Sequence, residues 1–392
     1  MKQQHDIVIV GLQPWDIQIG SNCKNMAIEL SKSHRVLYVN AALDSISAIK
    51  NRNNPDVQKR LAVLKGKSSS FEMVNSNLWV YTPKMLSTSI NWFPGFLFDV
   101  ALKINNYRFA EAIKEAIDAL EFKNYILLND SDMFRSFYLK EYLMPAKSIY
   151  YTRDNLMTVP YWKKHGQKYE PLLMKKSDYV LGNSPYLINK AKMHNTNSFY
   201  IGQGCDVEAF SNFQKEEPPI ELSTLTGKII GYTGLLTDRR LDINLIYSVA
   251  KIHSDWNIVL IGPEEDSFKK SKLNELSNIH FLGNKNPDEL PKYISFFDVC
   301  INPQVVNDLT IANYPRKIDE YLAVGKPVVA TYTPTMEIFD GFVYMAKTTA
   351  EFVSCIERAL LEDCEEMVEI RKSIASSHSW EQCINKLWEV IA

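Results

Sequence analysis

Short, unbroken apolar runs alternate along this chain with stretches in which apolar residues recur every three or four positions. The first pattern belongs to strands buried on both faces, the second to amphipathic helices. Strands are expected at residues 7–12, 35–40, 125–128, 148–152 and 179–181. Helices are expected at 25–31 and at 107–120, where Phe109, Ile113, Ala116, Ile117 and Leu120 share one face. Gly182-Asn183-Ser184-Pro185 reads as a turn leading into a helix. The rhythm lapses over 214–227, where Lys215-Glu216-Glu217-Pro218-Pro219 shows no period. It then resumes, with strands expected at 228–233, 257–261, 280–282, 299–302 and 327–331 and helices at 242–253, 290–296, 315–324 and 379–391. Such alternation predicts parallel sheets covered on both faces. The expected organisation is two α/β domains, 1–213 and 228–376, with a linker at 214–227 and a last segment at 377–392.

Length and composition agree with two ordinary globular domains. The 392 residues are 46% hydrophobic and 23% charged, which excludes disorder as the main state. The balance of 44 basic against 46 acidic residues gives a net charge of −2 and excludes a bulk polycation for nucleic acid. Six cysteines without a CxxC pair are expected to be reduced thiols. No signal peptide and no long apolar span is visible, so a cytoplasmic protein is expected. Two segments stand out. Residues 50–67 carry Lys50, Arg52, Lys59, Arg60, Lys65 and Lys67 against the single acid Asp56, and residues 90–98 (INWFPGFLF) are aromatic and carry no charge. Together they suggest peripheral docking on an anionic membrane; the plainer reading is a solvated helix face and a core loop.

In open parallel sheets, ligands bind beyond the carboxyl ends of the strands. There the second half shows Gly231-Tyr232-Thr233-Gly234 followed by Arg239-Arg240, and Gly262-Pro263-Glu264. A glycine lets backbone approach a bulky anion, and an arginine can clamp phosphate oxygens. The segment 313–331, NYPRKIDEYLAVGKPVVAT, is the most informative. Pro315 suits a first helical turn, and Lys317 and Glu320 are i,i+3 neighbours. A helix start with a lysine suits a diphosphate, and a carboxylate one turn on suits a ribose diol. The plain alternative is an Arg316–Glu320 ion pair. In the first half, Asp130-Ser131-Asp132 has the form that holds a divalent metal on a diphosphate. The preferred reading is cleft lining or a helix cap, with no metal and no cofactor. Arg153 and Asp154 follow another strand and are candidates for contact with an acceptor or the transferred sugar; a surface salt bridge is the alternative.

These motifs together resemble the GT-B glycosyltransferases of the group 1, family 4-like type that build bacterial surface polysaccharides. The likeness rests on Pro315-x-Lys317-x-x-Glu320-Tyr321-Leu322-Ala323 with Gly325-Lys326-Pro327-Val328-Val329, on Gly231–Gly234, on residues 200–210, on Phe281-Leu282-Gly283, on Asp298-Val299 with Pro303, and on Ser379-Trp380. It spans residues 140–392 well and the first 140 loosely. It implies two Rossmann-like domains facing across a cleft, with the last helix returning to the first domain. The implied donor is a nucleotide-diphospho-sugar, UDP-linked or alternatively GDP-linked, bound by Gly234, Arg240, Gly262, Lys317 and Glu320. Gly20 and Ser21 resemble the loop that approaches donor phosphate and acceptor, beside Arg153 and Asp154. Arg240, Lys317 and Asp154 are the implied catalytic residues, and the acceptor is a saccharide or lipid-linked saccharide, with retention of configuration. Ala312 stands where many relatives have a first glutamate, Leu235 where many have an arginine, and no histidine follows the strand before Asp130. The diphosphate charge is therefore expected to rest on Arg240 and Lys317. A nucleotide-sugar epimerase of the same fold and a non-catalytic sugar-nucleotide-binding partner are the rivals. The absence of GxGxxG at Gly11 counts against an NAD enzyme.

Overall fold

The computed structural model describes residues 4–17, 21–212 and 217–392. The chain forms two compact units, Met1–Gly202 with Cys383–Ala392, and Gln203–Gln382. The first holds β1 (Asp6–Gly11), β2 (Arg35–Val39), β3 (Leu43–Asp44), β4 (Phe71–Asn75), β5 (Leu78–Tyr81), β6 (Leu86–Ser87), β7 (Ile126–Asp130), β8 (Lys147–Thr152), β9 (Tyr179–Gly182) and β10 (Ser198–Tyr200). Eight of them form one sheet in the order β10-β9-β8-β7-β1-β2-β5-β4, and β3 pairs with β6. The large sheet is parallel except at β4, which runs antiparallel to β5. The apolar run of β1 is buried because it lies mid-sheet, Val8 pairing with Leu37 on one side and Leu127 on the other. Strand order reverses there, so the carboxyl ends of β1 and β7 open onto a crevice suited to ligands.

The second unit holds β11 (Ile229–Thr233), β12 (Asn257–Ile261), β13 (Ile279–Phe281), β14 (Val299–Asn302), β15 (Val328–Thr331) and β16 (Tyr344–Ala346), all parallel in the order β13-β12-β11-β14-β15-β16. One face packs Ile230, Leu260 and Ile301 against Ile246 and Ile356 of the helices Ile243–Ile252 and Thr349–Glu362. The other packs Ile261, Cys300 and Val328 against Ile318, Tyr321 and Leu322 of the helix Lys317–Ala323. The switch point here falls at β11 and β14.

Three expectations change. The division falls at Gly202 rather than in a linker at 214–227. The intervening short helix Val207–Ser211 sends Val207 and Phe210 into the second unit's core, and five residues are too few to show a period. Linker residues 214–216 lie outside the described residues. The helix expected at 107–120 runs from Gly95 to Ala119. Residues 90–98 are therefore not a core loop. Phe98 is buried, but Trp92 and Phe96 are 66% and 77% exposed. The closing helix Trp380–Ile391 joins the first unit from Cys383, where Trp388 stacks on His5 at 5.0 Å.

Candidate functional site

The second unit builds its candidate site from backbone outward. Gly234, just past the end of β11, has a φ of +136° in the left-handed region, and Gly262, just past the end of β12, has φ +142°. The Gly234 N–H donates to the Ile261 carbonyl at 2.8 Å. A Cβ on Gly262 would lie 2.0 Å from the Gly234 carbonyl oxygen, so the two turns fit only as glycines stacked backbone on backbone. Above them Lys317 Nζ donates to the Tyr232 hydroxyl at 2.8 Å and lies 4.5 Å from its ring centre. A Cβ on Gly234 would stand 3.1 Å from that ammonium, so the missing side chain leaves room for it. The structure therefore brings Gly234, Gly262 and Lys317 together.

The helix that carries Lys317 is shorter than expected, Lys317–Ala323, and its first residue follows Arg316 without a side-chain cap. Seven residues give a weak dipole, so the charge for an anion comes from side chains. The helix is fixed from behind. The Tyr321 hydroxyl accepts the Thr233 N–H at 2.8 Å, tying the helix to the end of β11. Asp319, fully buried, accepts the Tyr314 hydroxyl at 2.6 Å and lies 2.7 Å from His378 Nδ1. Burial pushes its carboxyl above the usual range, while His378 and Tyr314 oppose the shift. Glu320 is paired with Arg316 at 3.1 Å through one oxygen, so the plain ion-pair reading holds geometrically, and its other oxygen has no partner among the described residues.

The two arginines after β11 differ in a way their adjacency hides. Arg239 is spent on Glu265 at 2.6 Å. Arg240 is held by its backbone, its N–H donating to Thr237 and its carbonyl accepting Val305 N–H at 2.9 Å. Its guanidinium has no hydrogen bond or ion pair among the described residues. Both amide atoms of Asn302, at the end of β14, are buried without a partner. Such atoms mark a place where water or ligand completes the bonding.

The first unit places its candidates at the ends of β1, β7 and β8. Ser21 is buried and caps the helix Asn22–Ser31, its Oγ accepting the Lys24 N–H and donating to Gln13 Oε1 at 2.6 Å. Gly20 lies outside the described residues. Arg153 Nε donates to the fully buried Asp130 at 2.9 Å and its Nη1 to Asp154 at 3.0 Å. Burial raises the Asp130 carboxyl pKa against the pull of Arg153. Burial would lower Arg153, but Asp130 and Asp154 outweigh it and hold it above its ordinary value. Asp132 accepts the Phe134 and Arg135 N–H groups and Arg135 Nε at 2.6 Å. The two carboxylates of Asp130-Ser131-Asp132 thus go to different arginines, and no cluster suited to a metal occurs among the described residues. Asp132 thereby closes the turn over residues 133–138 rather than capping a helix, since the next helix, Leu139–Leu143, has Tyr138 at its N-cap.

Residues 227–363 match the family described as glycosyl transferases group 1. This stretch is therefore similar to a group 1 glycosyltransferase domain. The matched stretch contains every donor-site candidate named above. Among curated proteins, TuaH of Bacillus subtilis strain 168, named provisionally as a teichuronic acid biosynthesis glycosyltransferase, is 26% identical over 244 residues. That alignment covers 58% of this chain, and the chain spans about 60% of the length of that relative. Among solved structures, sucrose-phosphate synthase from Thermosynechococcus elongatus aligns with TM-score 0.67 and 13% identity over 99% of this chain and 98% of its own. Anabaena HepE in complex with UDP gives 0.66 and 13%, covering 99% of each chain. A trehalose-6-phosphate structure from E. coli bound with UDP-2-fluoro glucose gives 0.68 and 8%, again over 99% of each. These likenesses show the GT-B fold. Sequence reasoning missed Tyr232 as the seat of Lys317. Period and spacing report which face a residue takes, not which side chains meet across a sheet end.

Proposed function

We propose that the protein transfers a sugar from a UDP-linked donor to a saccharide or lipid-linked acceptor in surface polysaccharide synthesis, with retention. The observation that carries this reading is Lys317 seated over the stacked Gly234 and Gly262 turns, with Arg240 unpaired. The bare backbone admits a diphosphate, and the two cations stabilise the charge it gains as the bond to the anomeric carbon breaks. The acceptor oxygen forms the new bond and its proton passes to the departing phosphate oxygen, so no strong enzymic base is needed. Glu320 accepts ribose hydroxyls through its unpaired oxygen, and Asp154 with Arg153 contacts the transferred sugar or acceptor. The cations do what a divalent metal does elsewhere, so no metal is required. UDP in the HepE and E. coli structures supports the choice of base, and the name of TuaH supports the polysaccharide role.

A thermal-shift panel of UDP- and GDP-sugars, followed by UDP release with and without chelator, tests this. We expect stabilisation by UDP-sugars and chelator-resistant turnover. A panel without a responder would remove the donor site. The two arginines give a sharper test. Arg240→Ala is expected to raise the donor KM about ten- to a hundredfold, the loss of one charge-assisted contact. Arg239→Ala should change it little, and equal effects would overturn the assignment.

We also propose peripheral docking on an anionic membrane. Arg60 and Lys59 are occupied by Asp16, at 2.7 and 3.9 Å, but Lys50, Arg52, Lys65 and Lys67 are exposed and without partners among the described residues. Exposed Ile49, Trp92, Phe96 and Leu97 supply apolar contact. No helix among the described residues is long and apolar enough to cross a membrane. Flotation with vesicles containing phosphatidylserine is expected to carry the protein, and salt to release it; binding that ignores salt would sink the idea.

A further inference from the structure

The first unit contains a cavity of about 500 Å³ beyond the ends of β1 and β7, apart from Arg153 and Asp154. Its volume suits a small ligand. Six side chains give it character: Asp44, Ser47, Thr88, Arg135, Tyr161 and Trp162. Trp162 is braced by stacking on Phe134 at 5.3 Å, and Tyr161 meets it edge-on at 5.0 Å. Aromatic walls beside hydroxyls suit a pyranose ring, whose C–H faces pack on the rings while its rim hydrogen-bonds.

Arg135 decides the rest. Buried Asp132 grips its Nε at 2.6 Å, which aims the guanidinium, while its two terminal nitrogens have no partner among the described residues. An oriented fork of free N–H groups matches a carboxylate or phosphate. Asp44 also lines the cavity, but its oxygens are occupied by the Ile46 and Ser47 N–H groups and the Ser89 hydroxyl. Lys164, which is outside the lining, bonds the carbonyl of the lining residue Asn91 at 2.8 Å. Ile46 lies in the lining, and exposed Trp92 follows the lining residue Asn91 in sequence, so apolar surface adjoins the polar chamber.

We propose that this cavity binds a saccharide bearing an anionic group, phosphate or carboxylate, with Arg135 as its anion contact and Tyr161 and Trp162 as its ring platform. Naming that saccharide the acceptor rests on the transferase reading above. The anionic group comes either from a lipid phosphodiester or from a free sugar phosphate or uronate.

Calorimetry with three probes separates these cases: glucose 1-phosphate, its decyl phosphodiester, and neutral decyl glucoside. Both anionic probes are expected to bind about tenfold or more tighter than decyl glucoside, and Arg135→Gln to erase that advantage. Tyr161→Ala, at a half-exposed position, should weaken all three. A phosphodiester that outbinds glucose 1-phosphate assigns the lipid-linked source; equal affinities assign the free one. Decyl glucoside binding as well as the phosphodiester, no binding by any probe, or an unchanged Arg135→Gln would overturn the proposal. UDP-induced thermal shift, read on the same proteins, reports the donor site separately, so either site can fail alone.

Discussion

Lys317→Ala is expected to lower kcat/KM for the donor by about a hundredfold to a thousandfold, the range for removing one preorganised donor to transition-state charge. The lysine's position explains the size. Its ammonium is held by the Tyr232 hydroxyl and ring, with space on the Gly234 side where a side chain would otherwise stand. Charge on the departing diphosphate grows toward the transition state, so the loss should fall mainly on kcat. Tyr232→Phe keeps the ammonium and the ring but removes the hydroxyl, so a smaller loss is expected. UDP release kinetics with a matched donor make the comparison. If Lys317→Ala left both constants unchanged, the diphosphate would have to bind elsewhere.

Gly262→Ala is expected to damage the site without touching a charged group. The added methyl would meet the Gly234 carbonyl at 2.0 Å, and alanine is disfavoured at φ +142°. The left-handed backbone and the overpacking together cost about 2–5 kcal/mol, taken either as lost stability or as displacement of the Gly234 turn. Chemical denaturation reads the first and UDP-induced thermal shift the second. A variant with wild-type stability and wild-type UDP response would show that the two turns need not touch. Gly283→Ala is the control, since no atom lies within 4 Å of a Cβ there, although its φ is also positive.

Much of the fold was legible because burial writes itself into period. β12 and β14 fall where the apolar runs place them, since strands covered on both faces must be apolar throughout. Elements that lean on a neighbour are harder to read. β4 is largely exposed, and the helix Val207–Ser211 is too short to repeat. The division at Gly202 was hard to read for that reason: residues 207–211 pack with Ile318 and Leu322, which lie a hundred residues on.

The donor site shows the same divide. The amino-acid sequence by itself determined two parallel α/β units, the glycines at strand ends, and the Lys317–Glu320 spacing, because each is a property of neighbours along the chain. Only the tertiary structure decided that Arg239 is spent on Glu265 while Arg240 is free. It alone sent Asp130 and Asp132 to separate arginines, and it alone put Lys317 on Tyr232. Those outcomes depend on which side chains from distant segments converge at a sheet end, and pairing across space leaves no period in the sequence.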